Sequence, residues 1–179
     1  MKEIFLYLDD FNIISNEVMK NLNYLKKLKS ADPSIKKIII LIRQEKLDIF
    51  TPSERKYFLE KVLDDSNFII KSTNLEKIFK IIKKIEGQNI KIKKIFVNEV
   101  DKNYIENGLK GLPIEVFSFK NYESVNDEII QFIKNNEYQN FVQSVPTAMY
   151  DEFEWLKEKL NQKLEENILQ TIIQLIDGD

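Results

Sequence analysis

Five short apolar runs, each followed by a stretch of helical periodicity, constrain this chain more than anything else in its sequence. The runs fall at residues 3–8, 37–42, 67–71, 92–98 and 114–119. In the second, Ile38-Ile39-Ile40-Leu41-Ile42 shows no alternation at all, the pattern of a strand covered on both faces by helices. Between the runs, apolar residues recur at helical spacing. Val18, Leu22, Leu25 and Leu28 follow the first run, Tyr57, Phe58, Leu59, Val62 and Leu63 the second, and Leu75, Ile78, Phe79, Ile82 and Ile85 the third. Parallel neighbours in a sheet need a crossover about this long, and that crossover is right-handed. The alternation therefore predicts an α/β chain with a doubly wound parallel sheet.

Local signals set the boundaries. Ser15 or Asn16 caps a first helix over about residues 15–29, and Ala31-Asp32-Pro33 breaks the chain before the second strand. Thr51-Pro52-Ser53-Glu54 is a capping box with proline at the first helical position, where its missing N–H costs nothing. Gly87 ends a third helix, Gly108 stops a short fourth one, and Pro113 opens the fifth strand. Beyond Tyr122 the pattern is helical throughout, at about 125–135, at 138–142, and in a long helix whose first turn holds Pro146.

The expected fold is a three-layer Rossmann-like domain with a five-stranded parallel sheet in the order 3-2-1-4-5 and an all-helical C-terminal segment. With 179 residues, one domain is expected. Residues 1–122 form its core, and residues 123–179 are a helical segment packed on that core or used for assembly. An apolar stripe begins at Met149, Phe153, Leu156 and Leu160. It continues through Leu164, Ile168, Leu169, Ile172, Leu175 and Ile176, one helix further than a minimal domain needs. Such a stripe folds back over the sheet or pairs with a second copy of the chain.

Absences narrow the chemistry. The chain has no cysteine and no histidine, which removes disulfides, thiol nucleophiles, Ser-His and Cys-His mechanisms, and histidine metal sites. Its 27 basic and 29 acidic residues nearly balance, and its lysines read as scattered along helices, so no nucleic-acid partner is expected. Arg43 and Arg55 are the only arginines, hence the only bidentate donors for a carboxylate or phosphate. No apolar run approaches the ~18 residues of a membrane span, and no basic segment with a cleavage site opens the chain. A cytoplasmic location and no membrane partner are expected.

In open α/β sheets the ligand sits outside the carboxyl ends of the strands. The loop Asp9-Asp10-Phe11-Asn12-Ile13-Ile14-Ser15-Asn16 is therefore the expected functional centre, yet it offers no glycine, lysine, arginine or histidine. The Asp9-Asp10 pair reads as solvated turn chemistry or as hard oxygen ligands for magnesium. Arg43 and Lys46, just past the second strand, are candidates to contact an anion or are a solvated loop. Arg55 reads as an ion pair or a surface fork, and Asn98 closes the fourth strand on the same edge.

The loop from Asp9 to Val18 resembles the G-x-F-x-P-x-H-x-G-H loop of the nucleotidylyltransferase superfamily, closest in size to nicotinamide mononucleotide adenylyltransferases, with Phe11 at the family phenylalanine. Phe50-Thr51-Pro52-Ser53-Glu54-Arg55 matches the family's F-T-x-x-E-R helix start. Ser124-Val125-Asn126-Asp127-Glu128-Ile129-Ile130 takes the place of I-S-x-T-x-I-R, and Val145-Pro146 resembles the V-P segment that follows. The resemblance covers roughly residues 1–160. It implies that Ser15 and Val18 stand where the family has phosphate-binding histidines, that Glu17 occupies a glycine position, and that Asp127 and Ile130 replace a threonine and an arginine.

The nucleotide site implied by the resemblance is thus vestigial: Asp9, Asp10, Phe11, Ser15, Val18, Arg43, Lys46, Asn98, Asp127 and Ile130, with no catalytic residue. The expected function is a catalytically degenerate nucleotidylyltransferase-like domain acting as a nucleotide-binding or assembly module. Its candidate partners are a nucleotide and a second copy through the C-terminal helix. No cofactor is expected, magnesium entering only with activity. Two alternatives stand beside it: a divergent mononucleotide adenylyltransferase of NAD biosynthesis, and a purely structural protein-interaction domain. Asp9-Asp10 also resembles the D-x-D loop of haloacid dehalogenase-type phosphatases, but in neither register does an aspartate fill both places.

Overall fold

The computed structural model describes residues 2–45, 48–63 and 66–178. In chain order its main elements are β1 Lys2–Asp9, α1 Asn16–Ala31, β2 Ile35–Gln44, α2 Pro52–Val62, β3 Phe68–Asn74, α3 Ile78–Glu86, β4 Ile90–Asn98, α4 Lys102–Gly108 and β5 Glu115–Phe119. They are followed by α5 Glu123–Lys134, α6 Tyr138–Ser144 and α7 Phe153–Asp177. Short 3-10 turns, Leu75–Lys77, Glu99–Asp101 and Thr147–Glu152, lead into α3, α4 and α7. All strand pairs are parallel and the sheet order is 3-2-1-4-5, as the alternation predicts.

Period-two alternation sorts the strand side chains onto two faces. Phe5, Tyr7, Ile38, Ile40, Ile42, Phe68, Ile70 and Phe96 point to one side, where Val18, Leu22 and Leu25 of α1 and Phe58 and Leu59 of α2 cover them. The same cluster takes in Ile129 and Ile133 of α5, Phe141 of α6, and Phe153, Leu156 and Leu160 of α7. The helical segment is thus packed on the core as far as Leu160. Ile4, Leu6, Leu8, Leu41, Ile92, Ile95 and Val97 point the other way, under Ile78 and Ile82 of α3 and Ile105 of α4. Gly108 lets the end of α4 meet α3 closely, since a Cβ there would stand 1.9 Å from the Phe79 ring.

Two expectations fail in instructive ways. Tyr57 is 52 % exposed instead of entering the core, because α2 turns Phe58 and Leu59 inward and leaves Tyr57 on the flank, its hydroxyl 3.0 Å from Glu152 Oε1. Pro146 does not sit in the first turn of α7; it caps the 3-10 turn ahead of it.

The capping box is present as read. Thr51 Oγ1 accepts the Glu54 N–H at 3.1 Å, and Glu54 Oε1 accepts the Thr51 N–H at 2.8 Å. Thr51→Ala is expected to cost ~0.5 to 2 kcal/mol, read as a lower urea midpoint at unchanged slope. An unchanged midpoint would leave the box without energetic weight.

Candidate functional site

The carboxyl ends of β1, β2 and β4 meet at one edge of the sheet, and the loop after β1 lies there. Phe11 holds a left-handed backbone, φ 54°, rare for a side chain of its size. It is held there by complete burial and by an edge-to-face contact with the Tyr7 ring at 5.0 Å. Ser15 caps α1, its Oγ accepting the Val18 N–H at 3.2 Å.

Asp9 is not solvated, against the turn reading: β1 runs one residue further than expected and buries it to 1 % exposure. Its Oδ1 accepts the Asp10 N–H at 2.8 Å, and its Oδ2 accepts the Tyr122 hydroxyl. The Tyr122 oxygen lies 3.3 Å from the Tyr7 oxygen, to which Asn21 Nδ2 donates at 3.3 Å. Burial is the main cause that pushes the Asp9 carboxyl up to about 7, with the negative charge of Asp10 adding to it. The hydrogen bonds from Tyr122 and the Asp10 N–H, and the charge of Arg43, pull the other way.

Both arginines are engaged by the protein itself. Arg43, near the end of β2, binds Asp101 in the turn after β4; since β1 lies between these strands, the pair crosses the carboxyl end of β1. Its Nε lies 3.2 Å from Glu45 and its Nη2 3.9 Å from Asp10. Arg55, read as an ion pair or a surface fork, is an ion pair and wholly buried. Its Nη1 donates to the carbonyls of Asp10 at 2.6 Å and Arg43 at 2.8 Å, and its Nη2 to Asp48 Oδ2 at 2.8 Å. Two guanidiniums thus face the carboxylates of Asp10, Glu45, Asp48 and Asp101, leaving excess negative charge on the edge where a phosphate would rest.

The remaining candidates are distributed unevenly. Asn98 is buried and its Oδ1 accepts the Val100 N–H at 3.1 Å. Val18 and Ile130 are core residues, so their side chains face packing, not a ligand. Asp127 is exposed on α5. Lys46 lies outside the described residues. The structure thus gathers Asp9, Asp10, Arg43 and the turn after Asn98, while the Val18 and Ile130 side chains are part of the apolar core.

Sequence reasoning did not single out Tyr7, Asp48, Asp101 or Tyr122 as parts of this edge. Only Asp101 carried a usable signal, an acid three residues past the strand-end Asn98. Of the Asp9-Asp10 pair, Asp9 is engaged by the protein itself, since both its oxygens accept hydrogen bonds and burial favours its neutral form. Among the described residues no group of three or more acids is placed to hold a metal ion.

No protein-family model matches the chain, and no curated protein matches it by sequence. Solved structures do match. The NadR protein in complex with NR superposes with a TM-score of 0.58 at 11 % identity, over 83 % of this chain and 44 % of NadR. The chain therefore spans less than half of that protein. Plasmodium falciparum nicotinic acid mononucleotide adenylyltransferase, complexed with NaAD, superposes with a TM-score of 0.52 at 14 % identity, over 87 % of this chain and 96 % of the enzyme. With the sheet order and the C-terminal helices, these similarities show that the chain has a nucleotidylyltransferase-like fold of the Rossmann-like α/β class.

Proposed function

We propose that this chain is a nucleotidylyltransferase-like domain that has lost adenylyl transfer and works as an assembly module, self-associating through the second half of α7. One observation carries this reading: past Leu160, α7 presents Leu164, Ile168, Leu169, Ile172, Ile173, Leu175 and Ile176 to solvent, each 41 % to 78 % exposed. Seven large apolar side chains bared together on one helix are more than monomers commonly leave exposed, and mark an interaction surface. Because the first half of α7 is anchored in the core, the second half is a preformed helix and loses little entropy on docking.

The loss of chemistry rests on electrostatics. Adenylyl transfer builds negative charge on phosphate oxygens, which an enzyme must meet with preorganised donors. Here both arginines are held by carboxylates, and the positions of Val18 and Ile130 are apolar core. Of the two roles open to a degenerate domain, nucleotide binding and assembly, the geometry favours assembly. The cover proposed for this stripe is a second copy of the chain; among the described residues no helix is long and apolar enough to cross a membrane.

Light scattering and sedimentation equilibrium test the reading. Self-association at tens of micromolar is expected, with Ile168→Glu plus Ile172→Glu giving a monomer of unchanged helical content. A natural chain that stays monomeric would sink it. Pyrophosphate release from ATP with nicotinamide and nicotinate mononucleotides, in magnesium and in manganese, is expected below ~0.1 per second. Faster turnover abolished by Asp9→Ala or Asp10→Ala would make the chain a divergent adenylyltransferase instead.

A further inference from the structure

The second face of the sheet is incompletely covered. Helices α3 and α4 cover Ile4, Leu6, Leu8, Ile92 and Ile95, but the edge strand β3 turns Ile69, 38 % exposed, and Lys71 outward on this side. Ile39 of β2 and Ile81 and Ile85 of α3 are only partly buried beside it. Two cavities lie along this flank of α3. One, of 350 Å³, is floored by Ile4, Ile39, Ile69, Ile85 and Ile90 and rimmed by lysines that include Lys36 and Lys37. The other, of 680 Å³, lies between Ser72, Thr73 and Asn74 at the end of β3 and Lys77, Lys80, Ile81 and Lys84. The lysines expected to be scattered therefore gather here, and among the described residues Lys71, Lys77, Lys80, Lys83 and Lys84 form no ion pair with a carboxylate.

We infer that this lysine-rimmed apolar groove between α3 and β3 is the receptor for the second half of α7 from another copy of the chain; this rests on the assembly reading and gives it a geometry. Three matches support it. The apolar floor meets the apolar stripe, Leu164 to Ile176. Residues 161–177 carry Glu165, Glu166 and Asp177 against a single lysine, Lys163, so the helix is acidic where the groove is basic. At ~1.5 Å per residue these residues span about 25 Å, and the seven residues of β3 at ~3.3 Å span about 23 Å.

The contact joins different copies. The first half of α7 belongs to the apolar cluster on the opposite face of the sheet, where its Trp155 ring meets Phe50 and Phe58, so a chain's own helix sets out from the wrong side. Donor and acceptor surfaces are distinct, so two copies can exchange helices reciprocally in a closed dimer, or copies can add head to tail into a ring or a growing filament.

A mixing experiment decides it. The donor-deficient chain carries Ile168→Glu and Ile172→Glu; the acceptor-deficient chain carries Lys80→Glu and Lys84→Glu, two exposed positions whose folding is checked by circular dichroism and melting temperature. Each alone is expected to be monomeric, with association weakened at least tenfold. An equimolar mixture is expected to form a one-to-one dimer and to stop there, because one helix and one groove remain intact. If the acceptor-deficient chain assembles like the natural one, α7 pairs with α7, and this inference falls while the assembly reading stands. A mixture that stays monomeric also overturns it, including when the natural chain binds single-stranded RNA through the same lysines. A natural chain that is monomeric removes the assembly reading itself.

Discussion

Replacing Arg55 with alanine is expected to lower the unfolding free energy by about 3 to 5 kcal/mol, the range for breaking a buried ion pair by removing one partner. The guanidinium has no solvent exposure and ties three segments together: the carbonyl of Asp10 after β1, the carbonyl of Arg43 in β2, and the Asp48 carboxylate ahead of α2. Alanine leaves two carbonyls without this donor and a nearly buried carboxylate without its charge partner. Lysine restores the charge but not the fork, so Arg55→Lys is expected to recover less than half of the loss. The measurement is urea denaturation at pH 7, with Asp48→Asn completing a double-mutant cycle. Coupling above ~1 kcal/mol is expected between the pair. A cost under 1 kcal/mol for Arg55→Ala would mean that the guanidinium does not hold the ligand-edge loops together.

Arg55 also shows where sequence reading stops. Its place in Phe-Thr-Pro-Ser-Glu-Arg was legible, because a capping box is a local pattern, and an ion pair was one of two roles read for it, though the partner is Asp48 and not the adjacent Glu54. Its burial was not: it depends on a strand 12 residues away and a loop 45 residues away in sequence closing over it. Tyr122 and Asp9 are a harder case, 113 residues apart, since nothing in either neighbourhood announces that the end of β5 returns over the end of β1. The strands were legible because apolar runs mark them, but their polar ends were not: β1 runs on to Asp9, β2 to Gln44, and β3 furthest of all. That strand runs on through Ser72, Thr73 and Asn74 by pairing its backbone with β2, and an edge strand needs no apolar residue to do so. The stripe on α7 was legible throughout, but only the structure shows that it leaves the core after Leu160. The groove beside α3 could not be read, because Ile39, Ile69 and Ile85 come together only through the strand order.

Stability is expected to fall as pH rises from 5 to 8, and Asp9 is the cause. Its carboxyl titrates near 7 in the folded protein against 3.8 unfolded, so the folded state holds a proton that the unfolded chain releases. A group raised in this way contributes fully below the unfolded value, and its contribution is lost as pH climbs toward the folded one. At ~1.4 kcal/mol per unit, the part of the loss between pH 5 and pH 8 is about 2 to 3 kcal/mol. Around it, Asp10 favours the proton and Arg43 opposes it, while burial keeps Tyr7 and Tyr122 protonated throughout this range. The carboxylates held low by surface partners, Asp32 and Asp151, act in the opposite sense and at more acid pH, outside the window. Asp9→Asn mimics the protonated acid, its amide able to donate to the Tyr122 oxygen while its carbonyl accepts from the Asp10 N–H. The variant is expected to match the natural chain near pH 5, exceed its stability at pH 8, and flatten the slope between them. Equal destabilisation at both pH values would show instead that Asp9 is ionised in the fold and that its charge is held by Tyr122 and Arg43. Such a carboxylate would be a credible anchor for a hard divalent cation at the end of β1.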